Sequence, residues 1–190
     1  MTGARPPSPG QTVGPFFGYA LPYNGGGELV APSHASSLRL HGTVRDGHGD
    51  PVPDALLEIW QPDPSGAVAR EPGSLHRDGY TFTGWGRAGT DNAGRYTFTT
   101  VEPGRPEPAR PAFIAMAVFA RGLLDRLFTR VYLPGDDVAL AADPLLARLP
   151  PKRRATLVAD RDEHGLRFDV VLQGPGETVF LAHRSRPAGG

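Results

Sequence analysis

Leu38-Arg39-Leu40-His41-Gly42-Thr43-Val44-Arg45 alternates apolar or small residues with polar ones, and Asp46-Gly47-His48-Gly49-Asp50-Pro51, which follows, is dense in turn formers. A period of two places Leu38, Leu40, Gly42 and Val44 on one side of an extended chain, so the stretch reads as a half-buried strand running into a turn. Outward from it the pattern recurs. Ala55–Trp60, Tyr80–Trp85, Arg95–Val101, Phe113–Phe119, Phe128–Leu133, Ala155–Ala159, Leu166–Leu172 and Thr178–Leu181 all read as short strands. Asp91-Asn92-Ala93-Gly94 and Glu163-His164-Gly165 supply turns between several of them. About nine strands at this spacing predict an all-β fold, a β-sandwich with short helical segments. One such segment is expected at Asp143-Pro144-Leu145-Leu146-Ala147, with Asp143 as N-cap and proline in the first helical position.

Residues 1–190 read as a single domain, with no internal repeat and no dividing linker. The Pro-, Gly- and Ser-rich residues 1–10 are expected to form an extended N-terminal arm, and residues 183–190 a flexible tail. The 25 glycines and 21 prolines disfavour long helices. Twenty basic and twenty acidic residues cancel, so no net field draws the chain to nucleic acid or to anionic lipid. The chain has no cysteine, which excludes disulfides, thiolate nucleophiles and iron–sulfur clusters within it. Met1 to Gly14 lacks the apolar core of a signal peptide, and no stretch reaches the roughly 20 apolar residues of a membrane span. A cytoplasmic protein with no membrane partner is the expectation.

The local motifs are explained by turns. Gly84-Trp85-Gly86-Arg87-Ala88-Gly89 matches G-x-G-x-x-G, but turn residues follow it where a dinucleotide site needs a helix, so its glycines are assigned to a turn. His48-Gly49-Asp50 has facial-triad spacing, yet it lies among glycine and proline and reads as a hairpin tip. No two of the six histidines form an H-x-H, H-x-x-H or H-x-x-x-H pair, so metal-ligand spacing is missing.

Longer segments, taken in order, resemble the intradiol ring-cleavage dioxygenases. They are Gln11-Thr12-Val13-Gly14-Pro15-Phe16-Phe17, Gly42-Thr43-Val44-Arg45-Asp46 with Pro51-Val52-Pro53-Asp54-Ala55, and Glu58-Ile59-Trp60-Gln61-Pro62-Asp63. Thr90-Asp91 with Gly94-Arg95-Tyr96, Thr99-Thr100-Val101-Glu102-Pro103-Gly104 and Arg110-Pro111-Ala112 follow. Phe119-Ala120-Arg121-Gly122-Leu123-Leu124 and Leu172-Gln173-Gly174-Pro175-Gly176-Glu177-Thr178-Val179-Phe180 complete the set. The first and last blocks, with Ala-Arg-Gly-Leu-Leu, are similar to the alpha-type chains of the members that open protocatechuate.

That resemblance implies a ferric, haem-free chemistry held by two tyrosinates and two histidines, in which dioxygen opens a catecholate between its hydroxyls to give a muconate, here 3-carboxy-cis,cis-muconate. It also implies where this chain departs. The family's tyrosine positions fall on Val68 and Pro106, and its histidine positions on Phe113 and Ala115. None of these side chains offers the oxygen or nitrogen donor that hard ferric iron requires. The expectation is therefore an alpha subunit with no metal of its own and no self-contained catalytic site, with Fe(3+) in a homologous beta subunit. Alpha–beta protomers would assemble into a larger oligomer, with protocatechuate and O2 as substrates. Burial of Val68 and Phe113 in the emptied site would contribute roughly 1.5–3 kcal/mol each. The resemblance further places Thr12, Gly14, Pro15, Phe16 and Arg130 at the partner's substrate pocket, where a guanidinium suits a carboxylate. Arg110 reads as one half of a structural ion pair. Two other readings stay open at this stage: a self-sufficient catechol-type dioxygenase, and a non-catalytic transthyretin-like scaffold.

Overall fold

The computed structural model describes residues 14, 16–70, 77–78 and 81–182. Two sheets face one another across a shared apolar core, as the alternation predicts. In the first, β1 (Leu38–Arg45) is central, antiparallel to β4 (Arg95–Thr100), and parallel on its other edge to β8 (Gly165–Arg167) and β9 (Val170–Val171). β7 (Asp160–Asp162) pairs antiparallel with β8. The second sheet runs β3-β2-β5-β6, with β3 (Trp85–Gly89), β2 (Leu56–Trp60), β5 (Phe113–Phe119) and β6 (Leu127–Tyr132) all antiparallel. The inward residues of each strand meet in the middle: Leu40, Val44 and Phe98 from the first sheet, and Leu57, Ile59, Ile114, Met116, Val118 and Val131 from the second.

Gly42 lies at the tightest point of the first sheet. A Cβ there would stand 2.6 Å from the Phe168 carbonyl carbon and closer still to its oxygen. The absence of a side chain lets the chain between β8 and β9 press onto β1. There the Phe168 N–H donates to the His41 carbonyl (2.8 Å) and the Asp169 carboxylate accepts from the Thr43 amide and hydroxyl (both 2.8 Å). Tyr96 closes the contact by donating its buried phenol to the Phe168 carbonyl at 2.6 Å.

β1 and β5 have the bounds read from the alternation, β2 and β4 differ by a residue at one end, and β6 is shifted by one residue at both. Other expectations are corrected. The strand placed at Tyr80–Trp85 instead begins at Trp85 and runs to Gly89; Tyr80 itself is outside the described residues. Of the glycines assigned to a turn, only Gly84, with φ of 69°, turns the chain. Gly86 and Gly89 are strand residues, and Gly86 is bare because Leu29 packs where its Cβ would be. Ala155–Ala159 is not a strand. The Pro150-Pro151 pair starts a short helix, Pro151–Ala155, and only Val158 bridges to Tyr132. Leu166–Leu172 is split into β8 and β9 by the Phe168 contact. Thr178–Leu181 is extended but unladdered, tied to β6 by Thr129 Oγ1 donating to the Val179 carbonyl and by the Leu181 amide donating to that of Phe128.

Besides Pro151–Ala155, two helices lie where the sequence pattern signals none, Phe17–Ala20 and Asp137–Ala142. The helix placed after Asp143 is a 3-10 turn, Leu146–Arg148, and Asp143 caps it by accepting from the Leu145 and Leu146 amides (2.9 and 3.0 Å). Leu140 of Asp137–Ala142 and Leu146 of this turn join Tyr132, Leu157 and Val179 in a satellite cluster at one end of β6. The expected arm at 1–10 and tail at 183–190 lie outside the described residues.

Candidate functional site

Strand register builds the site on the outer face of the second sheet. The antiparallel pairings align Trp85, Trp60, Ala115 and Arg130 in one row across all four strands, because Trp60 is opposite both Trp85 and Ala115, and Ala115 is opposite Arg130. The next row pairs Phe113 with Tyr132. Since side chains alternate along a strand, Phe113 and Ala115 share the outward face of β5, and Arg130 and Tyr132 that of β6. A groove of about 360 Å³ opens there, lined by Trp60, Phe113, Ala115, Phe128, Arg130 and Leu181 among others. Trp60 is 53% exposed, so this face keeps a large aromatic surface open.

Among the described residues, Arg130 is the one charge lining the groove that has no opposite partner. Its guanidinium sits 4.2 Å from the centroid of the Phe113 ring, and Nη1 donates to the Tyr132 hydroxyl at 3.1 Å. The hydroxyl in turn donates to Asp143 Oδ1 at 3.2 Å. Burial holds the Tyr132 phenol above its ordinary pKa against the opposing pull of Arg130, so it stays a proton donor. Among the described residues no carboxylate pairs with Arg130, whereas Arg87 on the same face is bound to Glu58 at 2.5 Å.

The four positions at which the resemblance places metal ligands separate into two places. Phe113 and Ala115 are walls of the groove. Val68 and Pro106 are on two loops outside it, clamped where Gly66 and Gly104 allow backbone contact: a Cβ on Gly66 would stand 2.8 Å from the Arg105 carbonyl carbon, and one on Gly104 2.7 Å from that of Pro64. Asp63 shapes the first loop by accepting from the Ser65 hydroxyl and from the Ser65 and Ala67 amides, and these bonds hold its carboxyl below the usual 3.8. Val68 is 57% exposed, which corrects the expectation that it fills an emptied site; only Phe113 is packed, against the satellite cluster. Valine, proline, phenylalanine and alanine carry no side-chain donor atom, so these residues do not fit a ferric ion. Among the described residues no trio of His, Asp or Glu is placed to hold a metal.

Gly14 and Phe16 are exposed, Phe16 at 79%; Thr12 and Pro15 lie outside the described residues. Arg110 forms the expected ion pair, with Glu107 at 2.9 Å, on the surface. Sequence reasoning missed Trp60, Tyr132 and Asp143 as parts of the site. The i, i+2 spacing of Arg130 and Tyr132 was the available signal for one of them. His48 is exposed on a hairpin loop and Gly84–Gly89 leads into no helix, so neither motif makes a site.

The family model described as Dioxygenase matches residues 31–174. The protocatechuate 3,4-dioxygenase alpha chain of Burkholderia cepacia is 42% identical over 191 residues, covering 92% of this chain and 96% of that one. The beta chain of the same enzyme is 35% identical over 155 residues, 72% of this chain and 64% of that one. Among solved structures, the dioxygenase domain of a dioxygenase–carbohydrate-binding protein fusion from Streptomyces sp. SirexAA-E superposes with a TM-score of 0.55 at 26% identity, covering 78% of this chain and 88% of that one.

Proposed function

This chain belongs to the intradiol ring-cleavage dioxygenase family, and on that premise we propose that it is the alpha subunit of a protocatechuate 3,4-dioxygenase, active in aromatic catabolism only beside a beta subunit. The observation that carries the reading is near full-length similarity to an alpha chain, joined to side chains without donors at Val68, Pro106, Phe113 and Ala115. Iron and the ring-opening chemistry then belong to the beta subunit, and O2 and protocatechuate are the assembled enzyme's substrates. The alpha chain contributes shape and charge: Thr12, Gly14, Pro15 and Phe16 border the partner's pocket, and Arg130 presents its guanidinium to the carboxylate. An unquenched guanidinium beside exposed aromatic surface supports this assignment, because a planar aryl carboxylate matches both parts.

The testing experiment is coexpression with a beta homologue retaining two tyrosines and His-x-His. Ring cleavage is expected from the pair and lost when the alpha chain is omitted; undiminished activity from the beta chain alone would leave the alpha chain a scaffold. The isolated alpha chain is expected to be colourless and iron-free by elemental analysis, since it offers no tyrosinate at the ligand positions. Stoichiometric iron with a visible charge-transfer band would instead make it self-sufficient.

Isolated, the chain is also expected to self-associate. Phe16, Tyr19 and Trp60 are 79%, 85% and 53% exposed, more aromatic surface than a monomer usually leaves to water. The Val179-Phe180-Leu181 end, which resembles a second apolar patch in sequence, contributes less because Val179 is buried in the satellite cluster. Light scattering at working concentration that reports a monodisperse monomer would retire this expectation.

A further inference from the structure

We infer that Tyr132 and Phe113 are positioning residues that hold the Arg130 guanidinium in one orientation, with its free donors turned toward an aryl carboxylate. The inference rests on the reading of Arg130 as a substrate contact and adds the groups that make such a contact selective. Arginine has a long, flexible stem, and a freely mobile guanidinium loses rotamer entropy when a ligand fixes it. Here that freedom is already restricted. The Phe113 ring lies under the cation at 4.2 Å, and the Tyr132 hydroxyl takes one of its donors at 3.1 Å. Tyr132 is fully buried, and its own proton is committed to Asp143, itself 3% exposed and anchored by the Leu145 and Leu146 amides. The acceptor offered to Arg130 is therefore rigid.

The order of groups matters electrostatically. A carboxylate in direct contact would orient Arg130 equally well but would neutralise it. The intervening phenol relays the anchoring of Asp143 while keeping its charge out of contact with the guanidinium. A cation resting on a ring face keeps its N–H donors in the plane of the guanidinium, and with Nη1 occupied, Nη2 and Nε have no partner among the described residues. That edge has the fork geometry that binds a carboxylate with two parallel hydrogen bonds. Phe113 occupies a position where the family resemblance expects a histidine, so the loss of a metal ligand and the gain of a platform for Arg130 are one substitution.

The test is steady-state kinetics of the assembled alpha–beta enzyme, read as the ratio of kcat/KM for protocatechuate to that for catechol, which lacks the carboxylate. Tyr132→Phe is expected to lower that ratio about 3- to 10-fold, through KM for protocatechuate, by removing one hydrogen bond to the cation. Phe113→Leu keeps the apolar contact without the ring and is expected to lower the ratio about 2- to 5-fold. In an Arg130→Ala background neither change should lower it further, since a positioning residue acts only through the group it positions. Equal losses on both substrates, or losses that add to those of Arg130→Ala, would mean ordinary structural roles and overturn the inference. If Arg130→Ala lowers the ratio while both positioning variants leave it intact, Arg130 keeps its role and the positioning is refuted. If Arg130→Ala leaves it intact, the substrate contact itself fails and the inference with it. Size exclusion checks assembly, and Phe113→Leu decides alone should Tyr132→Phe not fold.

Discussion

Arg130→Ala is expected to reduce kcat/KM for protocatechuate about 10- to 150-fold in the assembled enzyme while leaving catechol turnover nearly unchanged. The magnitude follows from the worth of a charge-assisted hydrogen bond, roughly 1.5–3 kcal/mol, when it is made to the substrate alone. Arg130→Lys should recover only part of the loss, because an ammonium cannot present two coplanar donors or stack on Phe113 as a guanidinium does. The competing explanation is an ion pair that holds the subunit interface. Within the chain no carboxylate among the described residues pairs with Arg130, so such a pair would have to cross to the partner. Its removal would then weaken assembly and slow both substrates alike. Kinetics on the two substrates, with size exclusion alongside, separates the two, and equal losses would end the substrate-contact reading.

Gly42→Ala is expected to destabilise the chain by about 3 kcal/mol, on the order of 6–12 °C in Tm for a protein of this size. A Cβ at Gly42 would stand 2.6 Å from the Phe168 carbonyl carbon and 3.2 Å from the Tyr96 ring, and neither neighbour is free to yield. Phe168 is fixed by the hydrogen bond its N–H donates to the His41 carbonyl, and Tyr96 is fully enclosed in the core with its hydroxyl committed to the Phe168 carbonyl. Gly89→Ala is the control. Its Cβ would meet only the Ala55 carbonyl at 3.8 Å, an ordinary contact, and the change should stay within about 0.5 kcal/mol. Calorimetry on the two variants checks the contrast, and equal melting temperatures would show that β1 can shift without cost.

Much of this architecture was legible in residue order. β1 and β5 were placed to the residue because each has one face in the core, and a period of two then leaves a single way to bury Leu40 and Val44, or Ile114, Met116 and Val118. Where a backbone constraint replaces that pattern, the reading failed. The glycines of Gly84–Gly89 read as a turn, yet Gly86 is bare to admit Leu29, a residue far away in sequence. Ala155–Ala159 reads as a strand, yet Pro150-Pro151 starts a helix that runs into Ala155. Thr178–Leu181 has strand residues but finds no partner strand to complete a ladder.

The candidate site divides along the same line. That Val68, Pro106, Phe113 and Ala115 cannot ligate iron was settled by the sequence itself, because donor atoms belong to residue identity and no folding can supply them. Whether those positions are buried or exposed was decided only in three dimensions, and Val68 proved exposed. The same holds for the groups around Arg130. Ala115, Phe113 and Arg130 meet through the register of β5 with β6, and Asp143 reaches Tyr132 from the link between the Asp137–Ala142 helix and the 3-10 turn. Alternation along one strand shows which residues share its face. Which residues of another strand or turn lie beside them depends on how the strands align, and that alignment is set by the packing of the whole core.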